Sequence, residues 1–247
     1  NGSNDYRTRG LRGSIVANLG ETTKVTYLSS WQDSKLDDQT YLDLPNPYVR
    51  NLPRAETQKT KFWMNSLRLD QEVSDIANLT VLGSITKKTN TTIFSYPYAY
   101  VTGVTTGDGA AYSLGEADAL IKTVEARLAS AGDGPFKWLV GVSYLQAKKN
   151  SYDQIFQAGA ADYIDANPDL FGGYSGARLT PGDRLYGYFT KSTNEDFGVF
   201  GELSYKPVEQ IEITLGGRYY DTTAKADVLN QAGALGGYEG GYTPTDS

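Results

Sequence analysis

Residues Ile211-Glu-Ile-Thr-Leu-Gly-Gly-Arg-Tyr-Tyr220 decide how the chain reads. Ile211, Ile213, Leu215, Gly217 and Tyr219 fall on one parity, and Glu212, Thr214, Gly216, Arg218 and Tyr220 on the other. Side chains of a strand alternate between faces, so this is a β-strand with one apolar and one polar side. Just upstream, Val199, Leu203 and Tyr205 oppose Phe200, Glu202, Ser204 and Lys206, and the polar join at Lys206–Gln210 makes the two a hairpin.

The same unit recurs toward the N-terminus. Leu120, Val124, Ala126 and Leu128 alternate with Thr123, Glu125 and Arg127, and Trp138, Val140, Val142 and Tyr144 follow after a turn through Ser130–Pro135. Leu67 and Leu69 pair across a turn near Gln71–Asn78 with Leu79, Val81 and Ile85, and Leu11, Ile15, Ala17 and Leu19 pair across Gly20–Thr22 with Val25, Tyr27 and Trp31. The expected organisation is four hairpins, about 8–32, 61–88, 118–147 and 196–221, with alternating blocks of about 8–11 residues. Short turns within hairpins alternate with long segments between them, at 33–60, 88–117, 147–195 and from 222 onward.

Alternation fits a soluble sandwich or a membrane barrel equally. Three features favour the barrel. About ten residues tilted by about 45° span roughly 23 Å, close to the height of an outer-membrane apolar band. Tyr27, Trp31, Trp63, Trp138, Tyr144, Tyr205 and Tyr219 sit mostly near strand ends on the apolar parity, where aromatic girdles belong. Short turns at one end and long loops at the other complete the pattern. A helical membrane protein is excluded, because the longest clean apolar run is about Trp138–Val142.

Composition narrows the chemistry. The 247 residues contain 19 Tyr and 27 Gly but no Cys and no His, which removes disulfides, thiolate nucleophiles, imidazole ligands and histidine-based triads. A net charge of -6 argues against a nucleic-acid surface. No catalytic residue, metal site or cofactor is expected. A carboxylate pair such as Glu125 and Glu202 is the one enzymatic option left, and the sequence does not bring the two together. Asp162, Asp165 and Asp169 lack the spacing of a calcium loop and read as a solvated acidic segment.

Phe62–Asp70, Leu79–Lys88, Val124–Ser130 with Pro135–Gly141, Phe197–Tyr205 and Ile211–Asp221, taken together in this order, resemble the barrel portion of TonB-dependent outer-membrane receptors. The resemblance implies an all-β fold: an antiparallel transmembrane β-barrel in which about eight strands here belong to a wall of roughly 22. It implies short periplasmic turns, long extracellular loops, and a plug and a final aromatic-ended strand whose patterns are not found in 1–247. Both ends of such a segment would lie on the long-loop side, so the chain reads as a piece of a longer barrel. The implied role is import of a scarce solute, an iron-siderophore-like chelate or a carbohydrate. The implied partners are outer-membrane lipid, that solute, and a TonB-ExbB-ExbD complex acting through the plug region, and the implied location is the bacterial outer membrane.

On this reading Arg12, Arg68, Glu125, Arg127, Glu202 and Arg218 line the lumen, either meeting plug and solute or forming a ladder of wall contacts. In the loops, Tyr96, Tyr98, Tyr100, Phe171 and Tyr174 are candidate solute contacts, being rigid and amphipathic, or they pack on one another. Two other architectures fit the same alternation: a self-contained eight-stranded barrel serving as anchor or adhesin, and a soluble carbohydrate-binding sandwich.

Overall fold

The computed structural model describes residues 5–39, 52, 54–96, 101, 110–232 and 242–246. Every alternating block forms a strand, and the strands build one antiparallel sheet whose order follows the sequence from β1 to β9. They are β1 (Tyr6–Asn18), β2 (Thr23–Leu36), β3 (Gln58–Ser74), β4 (Ala77–Ser95), β5 (Ala111–Ser130), β6 (Phe136–Gln157), β7 (Arg184–Val208), β8 (Ile211–Ala232) and β9 (Tyr242–Asp246). Tight turns join β1 to β2, β3 to β4, β5 to β6 and β7 to β8, as the hairpin pattern requires. Gly20 (φ +79°) and Gly132 (φ +77°) supply the left-handed backbone in two of them.

Two expectations change. The strands are longer than the alternating blocks, β7 running 25 residues and β6 22, so much of 88–117 and 147–195 is strand instead of loop. At about 3.3 Å per residue β7 extends roughly 80 Å, far beyond the height of about 25 Å typical of an outer-membrane apolar band, so the hairpins are much longer than such a band is tall. Their outer halves are rich in Thr, Ser, Asn and Lys, which hides their strand character from a search for apolar alternation. The second change is β9, a short ninth strand paired with β8 from Lys225↔Asp246 to Leu229↔Tyr242, beyond the eight that alternation shows.

Register carries one apolar face across the sheet. Ala17, Val25, Leu69, Val81, Ala126, Val142, Val199 and Tyr219 form a single cross-strand row. No other layer covers it among the described residues: Ile211 is 53% exposed, Ile213 60% and Leu215 76%. A sandwich would seal these three beneath a second sheet.

The band does not run straight along the rows. On β1 to β3 it begins at Leu11, Trp31 and Trp63, which share a row, whereas on β8 it begins at Tyr219, in register with Ala17. The apolar level thus slides along the register as the sheet proceeds. That is the geometry of strands tilted within a flat slab of hydrocarbon.

The one buried apolar cluster among the described residues lies at the long-loop end, where Val101, Ala160 and Leu185 meet Ile155, Tyr163 and Phe171. It ties the connection 158–183 to the tops of β6 and β7.

Candidate functional site: the polar face and the folded loop

All six wall residues singled out from the sequence lie on the face opposite the apolar band, as register shows. Arg68 and Glu125 share a row with Thr26, Leu82 and Ser143, and Arg127 and Arg218 share the next with Asp70, Thr80, Gly141 and Phe200. Arg12 pairs with Ser30 nearer the long-loop end, and Glu202 pairs with Gly216 near the tight turns.

These residues do not form a continuous ion-pair ladder. Arg68 grips Asp70 through Nε to Oδ1 (2.9 Å) and Oδ2 (2.8 Å) and Nη2 to Oδ1 (2.7 Å), and Thr80 Oγ1 donates to the same carboxylate at 2.9 Å. Arg12, Glu125, Arg127 and Glu202 make no ion pair with a described residue. The order between strands comes instead from hydroxyl and amide bridges that the charged residues gave no hint of. Thr8 and Ser34 (3.0 Å), Thr60 and Asn90 (2.8 Å), Ser84 and Thr123 (2.6 Å) and Ser204 and Thr214 (2.8 Å) are bonded across neighbouring strands on this face. Above the band, Lys35 bonds Asp37 and holds its carboxyl below the usual carboxylate range.

Arg218 lies over the ring of Tyr220 at 3.9 Å and of Phe200 at 5.4 Å. The rings lie flat because glycine stands beneath them: a Cβ on Gly141 would come within 2.3 Å of Phe200 Cζ, and one on Gly198 within 3.3 Å of Tyr220. The pairs Gly141↔Phe200 and Gly198↔Tyr220 are visible only once register is known. Aromatic rings covering cross-strand glycines protect exposed backbone and hold the strands together. Gly141→Ala is therefore expected to lift the Phe200 ring, loosen the Arg218 stack and cost about 1–3 kcal/mol. Thermal unfolding in detergent measures the loss, with Gly217→Ala, where a Cβ meets nothing, as the neutral comparison.

The connection between β6 and β7 is a small folded unit. It contains helices α1 (Ala160–Ala166) and α2 (Gly176–Leu179) and two 3-10 turns, Pro168–Phe171 and Pro181–Asp183. Asp183 Oδ2 accepts from the Gly159 amide (3.0 Å) and Oδ1 from the Ala161 amide (2.9 Å), satisfying donors at the start of α1. Asp165 Oδ1 accepts from the Gly176 amide at 2.7 Å, so this acid bonds the loop backbone instead of standing free in solvent. A side chain at Gly176 would meet the Ala161 backbone, which explains the glycine. Gln157 is fully buried and bridges to Val101 in both directions, its Nε2 donating to the carbonyl (2.9 Å) and its Oε1 accepting from the amide (2.8 Å).

Among the loop aromatics, Phe171 stands edge-on to Tyr163 (6.1 Å between centroids) and is half-buried in the cluster, whereas Tyr174 is exposed with Arg178 4.5 Å above its ring. Tyr96 follows β4, its amide bonded to the Ala111 carbonyl at 2.8 Å, and Tyr98 and Tyr100 lie outside the described residues.

A single-layer meander of tilted strands, with one bare apolar face, one polar face and long folded connections at one end, is the wall of an outer-membrane β-barrel. The chain matches no family model and no curated protein. Its likeness is to solved structures. Over 97% of this chain and 33% of that one it superposes on the ferric yersiniabactin uptake receptor FyuA of Yersinia pestis, with a TM-score of 0.68 at 11% identity. The ferric citrate transporter FecA (TM-score 0.60, 12% identity, 98% and 32%) and the ferric-catecholate import receptor Fiu of E. coli K12 (0.60, 10%, 98% and 39%) are similar in the same way. The chain spans about a third of the length of these receptors. At such identities the likeness is one of fold, and in fold it matches the resemblance to TonB-dependent receptors carried by the sequence motifs.

Proposed function

We propose that residues 1–247 form part of the barrel wall of an outer-membrane receptor that imports a ferric chelate with energy supplied through TonB. The observation that carries this reading is the unbroken apolar face from β1 to β8, set against a polar face on the same strands, in a sheet that superposes on FyuA over 97% of the chain. In hydrocarbon the unpaired edges of β1 and of β8 below its pairing with β9 would cost several kcal/mol for each unsatisfied backbone group, and β1 does not pair with β8, so further strands must close the wall. That requirement favours a large barrel over a self-contained eight-stranded one. The polar side, with Arg12, Arg68, Glu125, Arg127, Glu202 and Arg218, faces a plug and the passing solute. Tyr96 and Tyr174 stand at the loop end where a chelate would first be met.

The reading assigns no bond-making chemistry to the chain: it binds, selects and opens a path. Its named relatives in fold are receptors and transporters of ferric ligands, which makes iron-chelate uptake a better-supported role than carbohydrate uptake. The test is uptake of radio-iron chelates by cells with and without the protein. Transport should vanish in the deletion strain and in a strain without TonB, while surface binding survives the loss of TonB. Uptake that persists without TonB removes energy coupling, and import of an oligosaccharide in place of iron replaces the solute.

A further inference from the structure

Burial in this chain is gathered at the long-loop end. Apart from glycines, only Ala77 and Ser204 among the buried described residues lie elsewhere. Two of the buried residues at that end, Glu56 and Gln157, are polar and bond from one element to another.

Glu56 belongs to the connection between β2 and β3 and is 1% exposed. Its amide donates to Asp38 Oδ1 (2.9 Å), which ties the two ends of that connection together. Its own Oε1 accepts from the amide of Ser95, the last residue of β4, at 2.8 Å. Arg54 of the same connection lies 4.0 Å over the ring of Tyr112, which pairs with Ser95 and stacks on Phe156 at 5.4 Å. Gln157 follows Phe156 directly, and its side-chain amide bonds both backbone groups of Val101 in the connection between β4 and β5. Val101 in turn packs with Ala160 at the start of the unit 158–183 and with Leu185 just after it. Each contact begins where the previous one ends, so three long connections are joined in series.

Such a series does not loosen piecemeal. A buried polar group that loses its partner is left unsatisfied, and that costs more than the bond itself contributes. When Gln157 releases Val101, both ends of its amide are orphaned at 0% exposure until water reaches them, so the neighbouring contacts must part as well. The wall below is held by continuous strand pairing and takes no part in this.

We propose that the connections after β2, β4 and β6 form one cooperative unit, latched by Glu56 and Gln157, which opens and closes as a whole on top of the wall. Anything that clasps one connection therefore steadies the other two. The latch stands on these contacts alone and holds whatever solute the protein takes up.

Hydrogen exchange of the complete protein in detergent, resolved to single amides, tests this. In Gln157→Ala the amides of Glu56 and Ala161 are expected to exchange faster by one common factor, roughly tenfold, although they lie in different connections. Glu56→Ala should speed the Ala161 amide from the other end. Strand amides at Val140 and Leu203 should keep their rates in both variants. Faster exchange confined to 158–183 in Gln157→Ala, with Glu56 unchanged, overturns the proposal, because the connections would then open one by one. An equal rise at Val140 and Leu203 overturns it as well, since the change would then loosen the entire fold. Gln157→Glu keeps the acceptor for the Val101 amide and loses the donor. As the milder cut it should show the same common factor at a smaller size, which keeps the test open should Gln157→Ala fail to fold.

Discussion

Val140→Arg is expected to cost about 2–4 kcal/mol of folding stability in a bilayer, the cost of a guanidinium near the middle of a lipid-facing band. Val140 is half exposed on the apolar face of β6, between Phe136 and Tyr144, in register with Leu128 and Gly201. Three residues on, Ser143 points to the opposite face, where it pairs with Glu125 and Gly198. Arginine there meets water and a carboxylate, so Ser143→Arg should change stability by less than about 0.5 kcal/mol. Denaturant unfolding from lipid vesicles reports both values, and the ratio of heat-modifiable to unfolded protein gives a simpler readout. Equal costs at the two sites would mean that hydrocarbon does not cover the face of Val140, and the barrel assignment would fall with that result.

A second large effect is expected in the loop at 158–183. Asp183→Ala removes both hydrogen bonds to the Gly159 and Ala161 amides and leaves alanine at φ +64°, a backbone region that favours Gly, Asn and Asp. Two charge-assisted bonds and the left-handed strain together amount to about 3–5 kcal/mol of local stability. The loop unit has only a small apolar cluster to offset this, so α1 should detach from Leu185 and Val101. Limited proteolysis then cuts within 158–183 while the wall keeps its heat-modifiable migration. Asp183→Asn keeps an acceptor and tolerates the backbone, and it should be cut more slowly than the alanine variant. A loop as resistant as the parent's in Asp183→Ala would show that the cap contributes little to holding it down.

The tight-turned hairpins were legible in the sequence along the apolar band, because there every second residue is apolar. Ile211–Tyr219 and Trp138–Tyr144 carry that pattern without interruption. The outer halves of the same strands were not legible. Residues such as Thr89–Thr92 and Ser192–Asn194 carry polar side chains on both faces, so backbone pairing with a neighbour makes them strand, and no apolar alternation records it. Among the candidate residues, the facing of Arg68 and Arg218 followed from parity, but their partners did not. Arg68 takes Asp70 on its own strand, a spacing of two that any two residues on one face of a strand show, whereas the Arg218 stack depends on Phe200 lying over Gly141 of a third strand.

By itself, then, the sequence determined which faces are apolar, where the short turns fall, and that histidine and cysteine chemistry has no place here. These are local properties, set by a two-residue period and by composition. The tertiary structure alone decided the register that aligns eight apolar stripes into one band, the slope of that band across the strands, the bonding of Glu56 to Ser95 and of Gln157 to Val101, and the docking of the loop through Asp183. Each of these joins residues far apart in the chain. Alternation leaves the sliding of one strand along the next undetermined, and only the summed hydrogen bonds and cross-strand contacts of the whole sheet select one alignment.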